Sequence, residues 1–384
     1  FFVMIASLKL PAKNYQGKTL RRGYTTGACA AAAAQAAAIL LLSGRPLSAL
    51  TLTLPRGQRL TLPLADLELG PDFAGAAVQK DGGDDPDITH GLLIQARVRK
   101  TPADIVINGG EGVGRVTKPG LDQPVGAAAI TSTPRRMIRE GLEKISRDYG
   151  YRGGLDVEIA IPKGRELAKR TFNPRLGIEG GLSVIGTTGI VEPMSHQALA
   201  DTLRLEIRQL AAGGARSLLL TLGNYSADFA RNRLGLNLAS HVSCANLIGD
   251  ALDAAVEEGF RNILLVGQVG KLVKLGIGVT NTHSNQGDGR LETLTACAVE
   301  AGASLPMLHD IIHCVSTQAA LTLLEAYGLL DGAMAVLGER IRGCLARQVP
   351  EQVRIGFICF GGSGENSQVL AQSNNAQQLL EEWR

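Results

Sequence analysis

Lys80 to Gly91 reads KDGGDDPDITHG, which sets Asp81, Asp84, Asp85 and Asp87 beside Lys80 and His90 around Gly82-Gly83 and Pro86. Carboxylates next to an imidazole and an ammonium can move protons or accept hydroxyl groups. The run imitates a calcium loop only loosely. Its glycine is misplaced, and Leu92 stands where a bidentate glutamate belongs. A solvated turn would use the same glycines and proline, but so many ionisable groups ahead of a strand favour a functional role. Asp84 is the first choice for a catalytic carboxylate, because it lies between the flexible glycine pair and the stiff Asp85-Pro86. Asp81 and His90 complete the expected catalytic set, with Lys80, Asp85 and Asp87 against the substrate.

Two further stretches carry chemistry. NGGEGVGRVTKPGL (108–121) has G-x-G spacing but no third glycine and no helix to follow, so it is no dinucleotide fingerprint. It is a loop whose backbone can approach a ligand, with Glu111 and Lys118 at hand. GQVGKLVK likewise fails as a P-loop, since Leu272 follows Lys271. From Lys163 to Ser195 the chain gathers Lys163, Arg165, Lys169, Arg170 and Arg175, and then delivers Thr187-Thr188-Gly189. For Lys169 and Arg170 a solvated basic face is the plainer reading. Asn281, Thr282, His283 and Ser284 form a polar loop before a helix.

These groups need elements to hold them. GYTTGACAAAAAQAAAILLLSG (23–44) is a helix capped by Thr25 or Thr26 and stopped at Ser43-Gly44. Its alanines permit close approach, and its N–H groups are expected to hold a carboxylate through Thr25 and Thr26. Gln35 and the weak insertion tendency of alanine argue against a membrane span. The first half, 1–180, reads as an α+β domain with a mixed sheet. It contains a hairpin at 50–64, strands in GLLIQARVRK, ADIVING and LDVEIAIP, and a helix with Pro134 in its first turn. The second half, 181–384, reads as a Rossmann-like α/β domain. Its parallel strands LSVIGTTG, SLLLTLGNYS, NILLVGQVGK and RIGFICFGGSG alternate with helices at 194–212 and 245–258, and a largely helical stretch covers 304–347. Loops after such strands line the ligand crevice, so Thr187, Thr188, Gly189, Gly223, Asn224 and Lys271 are expected to bind a cofactor there.

Composition narrows the function. A net charge of +3 over 384 residues, with no basic block and only six Tyr, eight Phe and one Trp, argues against a nucleic-acid partner. Cys29, Cys244, Cys297, Cys314, Cys344 and Cys359 form no C-x-x-C pair, as expected of reduced thiols in a cytoplasmic protein. The opening FFVMIASLKL is too short for a signal peptide and lacks a basic n-region; it reads as an edge strand or an addition to the native chain. No membrane association and no protein-bound metal are expected. His309 and His313, at i, i+4, have no glutamate between them in the metalloprotease arrangement.

Taken together, RRGYTTGACAAAAAQAA, KDGGDDPDITHG, NGGEGVGRVTKPGL, TFNPRLGIEGGLSVIGTTGIVEPMS, GNY, GKLVKLGIGVTNTHS and GFICFGGSG resemble the cobalt-precorrin-5B C(1)-methyltransferase family, CbiD. The chain departs from the family's usual residues at Gln268 and at Ala245-Asn246-Leu247. The resemblance implies methyl transfer from S-adenosylmethionine to C-1 of cobalt-precorrin-5B, a carboxylate-rich cobalt tetrapyrrole, giving cobalt-precorrin-6A in anaerobic cobalamin biosynthesis. It also leaves room for transient contacts with other pathway enzymes and for a homo-oligomer. For such a substrate Glu111, Lys118, Arg175 and His283 join the residues expected at the ring, while the aspartate loop suits a sulfonium cation. Two other readings compete with it: a non-catalytic corrinoid carrier or scaffold, and an enzyme acting on a phosphorylated nucleotide.

Overall fold

The structure, a computed structural model, describes residues 10–15, 17–239 and 241–383. The opening apolar segment up to Lys9, with most of the expected edge strand, lies outside them. The chain divides into two units, Phe1–His196 and Gln197–Arg384.

In the first unit the alanine-rich segment forms helix α1, Thr26–Ser43. Thr25 is extended and its hydroxyl accepts from the N–H of Ala28 at 3.1 Å, while Gly44, left-handed at φ 67°, donates its N–H to Leu40. Every alanine from Ala28 to Ala38 is fully buried. Alanine is used here because neighbours press in from several sides: α2 (Ser132–Asp148) on one flank and a sheet on the other. A Cβ on Gly141 of α2 would lie 2.0 Å from Gln35 Nε2, which itself donates to the Met137 carbonyl at 3.2 Å. Among the described residues α1 is the one helix long and apolar enough to cross a membrane by length and composition; here 72% of it is buried as a core helix.

That sheet has five strands: β1 (Asp66–Leu69), β2 (Phe73–Gln79), β3 (Leu93–Thr101), β4 (Ile105–Gly109) and β5 (Gly154–Ala160). Their order is β1-β2-β3-β5-β4, antiparallel except for β4 beside β5. The short helix α3, Gly164–Ala168, follows β5. Alternation in the 50–64 segment gives the hairpin Ala49–Thr53 with Arg59–Pro63, whose Leu50, Leu52, Leu60 and Leu62 turn into the core.

The expected strand in LSVIGTTG is corrected by the structure. Leu182 and Val184 make single bridges to Val113 and Ile130, and Ile190–Val191 pairs antiparallel with Gly23–Tyr24. Both apolar side chains bury in the core of the first unit. The boundary therefore falls at 196/197 rather than at 180/181.

The second unit holds β6 (Ser217–Thr221), β7 (His241–Ser243), β8 (Asn262–Gln268), β9 (Arg354–Gly361) and β10 (Gln368–Gln372). The order is β7-β6-β8-β9-β10, with the first four parallel and β10 antiparallel at the edge. Three expected strands are present, and β7 and β10 are additions. The 2-1-3-4 order of the parallel strands differs from the 3-2-1-4-5-6 order of a Rossmann sheet. Leu218 to Leu220 and Ile263 to Val266 are fully buried, as strands covered on both faces must be. Helix α4 (His196–Ala212) leads into β6, α5 (Asn224–Asn232) and α6 (Ile248–Glu257) connect β6 to β7 and β7 to β8, and further helices fill Leu305–Ala346.

Candidate functional site

The aspartate loop after β2 is drawn against the strand Gly23–Tyr24. Tyr24 donates its N–H to the Asp81 carbonyl at 2.8 Å. The guanidinium of Arg21 pairs with both oxygens of Asp81, and Asp81 Oδ1 also accepts from the N–H of Gly83 at 2.9 Å. Glycine is required at this crossing, because a Cβ on Gly83 (φ 68°) would sit 2.3 Å from the Arg21 carbonyl oxygen. Asp84 Oδ2 accepts the N–H of Arg21 at 2.6 Å. Asp85 Oδ1 accepts from Met194, itself left-handed at φ 53°. His90 Nδ1 accepts the Gly82 N–H at 3.0 Å, which leaves the proton of the neutral ring on Nε2.

Lys80 is only 2% exposed and pairs with Asp87, which also accepts from the N–H and hydroxyl of Thr89. Burial alone would push the Asp87 carboxyl up, but the Lys80 ammonium and the hydrogen bonds hold it below the usual range. The Arg21 hydrogen bond likewise holds Asp81 down. Each aspartate of the expected set thus has a bracing partner within the loop or in the segments 21–24 and 190–194 beside it. Lys80, expected against the substrate, is inside the protein.

The start of α1 is closed in the same way. Gly27 donates to the Ile185 carbonyl at 2.9 Å, Thr25 to the Gly189 carbonyl at 3.0 Å, and Ile185 to the Thr26 hydroxyl at 3.0 Å. Carbonyls of the 183–189 segment, together with the Thr25 hydroxyl, thus occupy the N–H groups of Thr25, Gly27 and Ala28, three of those expected to hold a ligand carboxylate. Thr187, which is exposed, and Thr188 and Gly189 accordingly belong beside Thr25 in the first unit. They share no sheet with Gly223, Asn224 and Lys271.

A different part of the first unit is open. Three glycines meet where the 108–120 loop passes α3: a Cβ on Gly164 would lie 2.2 Å, and one on Gly181 2.3 Å, from the Gly112 carbonyl oxygen. That carbonyl accepts from Leu182 at 2.8 Å, and the Glu111 carbonyl accepts from Ile161 at 2.8 Å. This junction floors a hollow of about 510 Å³ lined by Glu111, Gly112, Lys163, Arg165, Glu166 and Lys169. Lys163 is left-handed at φ 68°, a conformation that costs a non-glycine residue energy. Of the expected substrate-binding residues the hollow takes only Glu111. Lys118 lays its stem over Gly177, and Arg175 stacks on the ring of the exposed Phe172 at 6.0 Å.

In the second unit the loops after the parallel strands are tied to one another. Lys271 Nζ donates to the carbonyls of Leu222, after β6, and Ala245, after β7, each at 3.2 Å. Gln268 Nε2 donates to the Gly362 carbonyl after β9 at 3.2 Å. Burial lowers the Lys271 amine below the usual lysine range and pushes the neighbouring Cys244 thiol up to about 12. Gly223, at φ 98°, turns the chain into α5 and leaves Asn224 exposed at its start. The His283 loop is anchored by the buried Lys274, which donates to the carbonyls of Thr282 (3.2 Å) and Gly287 (2.8 Å). His283 Nδ1 accepts from the N–H of Asn285. Thr282 donates to the Asn246 carbonyl at 2.9 Å, so the His283 loop and the loop after β7 lie side by side.

Comparison with known proteins follows this division. Residues 13–193 match the family described as CbiD, and residues 281–374 match the description "CbiD, C-terminal domain". A protein of Ruminiclostridium cellulolyticum named cobalt-precorrin-5B C(1)-methyltransferase is 44% identical over 344 residues, 90% of each chain. A protein of the same name from Moorella thermoacetica is 41% identical over 364 residues, 95% of this chain and 98% of that one. The crystal structure of the cobalamin biosynthesis protein CbiD from Archaeoglobus fulgidus is 28% identical, covers 72% of this chain and 86% of its own, and superposes with a TM-score of 0.40.

Proposed function

The chain belongs to the CbiD family, and from that premise we propose that it methylates C-1 of cobalt-precorrin-5B with S-adenosylmethionine, giving cobalt-precorrin-6A in anaerobic cobalamin biosynthesis. The observation that carries this is the extent of the likeness: the match to the Moorella methyltransferase spans almost the whole of both chains. Six free cysteines, five of them buried, suit action in the cytoplasm.

The donor supplies an electrophilic methyl group and the tetrapyrrole its own nucleophilic carbon, which leaves the protein chiefly the task of orientation. We assign the donor to the crevice of the second unit, at Gly223, Asn224 and Lys271. An ammonium has three donors, and Lys271 uses two on Leu222 and Ala245, so one N–H remains for a carboxylate. The exposed amide of Asn224 suits a ribose hydroxyl or a carboxylate. We assign the tetrapyrrole to the first unit, near Glu111, Lys118 and Arg175, with the aspartate loop as a brace rather than a catalytic centre. Incubation with S-adenosylmethionine and cobalt-precorrin-5B should give a mass gain of one methyl group. Tight substrate binding with no gain would instead make the protein a carrier.

A further inference from the structure

We propose that the hollow beside α3 binds carboxylate arms on the rim of the tetrapyrrole through Lys163, Arg165 and Lys169, an inference that rests on the methyltransferase reading. Three cations face one hollow, and among the described residues none of them is in an ion pair or a side-chain hydrogen bond. Arg21, Arg22 and Lys80 of the same unit, by contrast, are paired with Asp81, Glu192 and Asp87. A concave set of unpaired cations is suited to an anionic ligand, and Arg165 can grip a carboxylate through two N–H groups.

The backbone supports the same reading. Lys163 is held in a left-handed conformation directly before α3, and the Gly112–Gly164–Gly181 contact fixes that turn against the Glu111 loop. Enforced strain of this kind clusters where a side chain must be aimed. A volume of about 510 Å³ takes acetate or propionate arms with one edge of the ring, while the rest of the macrocycle stays outside. Glu111 and Glu166 on the same walls repel a single dense anion and separate the cations. The fit is therefore to spaced carboxylates.

The test uses the full chain and two cobalt porphyrins of similar size: cobalt uroporphyrin, with eight carboxylates, and a cationic cobalt tetra(N-methylpyridyl)porphyrin. The K163Q/R165Q/K169Q variant removes the charge at exposed positions and should fold normally. A charge-matched control, R204Q/R208Q/R342Q, alters arginines of the second unit that already have acidic partners. The hollow variant should bind uroporphyrin about tenfold or more weakly, with a shallower salt dependence, and its KM for cobalt-precorrin-5B should rise by a similar factor. The control should bind like the unaltered chain, and the cationic porphyrin should bind poorly throughout. Equal uroporphyrin affinity in the hollow variant and the control would overturn the proposal. If the unaltered chain shows this charge-dependent binding but transfers no methyl group, the hollow stands and the methyltransferase reading fails.

Discussion

Arg21 and Asp84 clasp each other through both of their backbones: the N–H of Arg21 donates to Asp84 Oδ2 at 2.6 Å, and the N–H of Asp84 donates to the Arg21 carbonyl at 2.9 Å. An asparagine amide oxygen can accept the first of these bonds as well as a carboxylate can. Asp84→Asn should therefore keep turnover within about threefold and stability within ~0.5 kcal/mol. Asp84→Ala, which loses the acceptor, should cost on the order of 1 kcal/mol. Steady-state kinetics and urea unfolding of both variants check this. A hundredfold loss of turnover in a folded Asp84→Asn variant would restore an acid–base role to that carboxylate.

Lys80 and Asp87 form a second brace, buried on the lysine side. Removing one member of a buried pair leaves the other unpaired, so Lys80→Met should destabilise the first unit by about 3 kcal/mol. The double variant Lys80→Met/Asp87→Leu should regain part of that loss, and a double-mutant cycle in urea would measure the coupling. Strictly additive losses would mean that the pair contributes nothing as a pair.

The depressed carboxyls of Asp81 and Asp87 fix the sign of the acid dependence. A group whose folded pKa lies below its unfolded value adds stability above the unfolded value, and that stability is lost as pH falls through the folded one. Stability should accordingly hold down to about pH 4 and then fall as the pH drops further. Asp87→Asn should flatten that acid limb when the denaturation midpoint is followed against pH. An unchanged acid limb in the variant would remove Asp87 from the account.

Much of this architecture was legible because its signals are local. Thr25 and Gly44 bracket α1 with ordinary cap chemistry, and alternating leucines define the 49–63 hairpin. The run LSVIGTTG misled for a physical reason: an apolar run ending in glycine looks the same whether it joins a parallel sheet or bridges to Val113 and Ile130. That choice of partner is tertiary. The strand β7 is three residues long and begins with a histidine, too short for any periodicity to mark. At the site, Glu111 and the basic run after Lys163 were visible separately. Their meeting depends on Gly112, Gly164 and Gly181 touching across some seventy residues of sequence, which spacing does not encode.

Lys271 links the second unit's loops to the proposed donor site. Lys271→Met should weaken binding of S-adenosylhomocysteine about tenfold, since it removes one charged contact and loosens the Leu222 and Ala245 loops. Calorimetric titration of the two proteins decides the point. Unchanged affinity would move the donor away from this crevice.

The most direct test of the central claim follows the methyl group itself. The protein is incubated with cobalt-precorrin-5B and S-adenosylmethionine carrying a ¹³C-labelled methyl group, and the product is read by mass spectrometry and ¹³C NMR. The expected outcome is one labelled methyl per tetrapyrrole, attached at C-1, with S-adenosylhomocysteine formed in equal amount. Label at another carbon, or unlabelled substrate recovered intact from a protein that binds it, would contradict it.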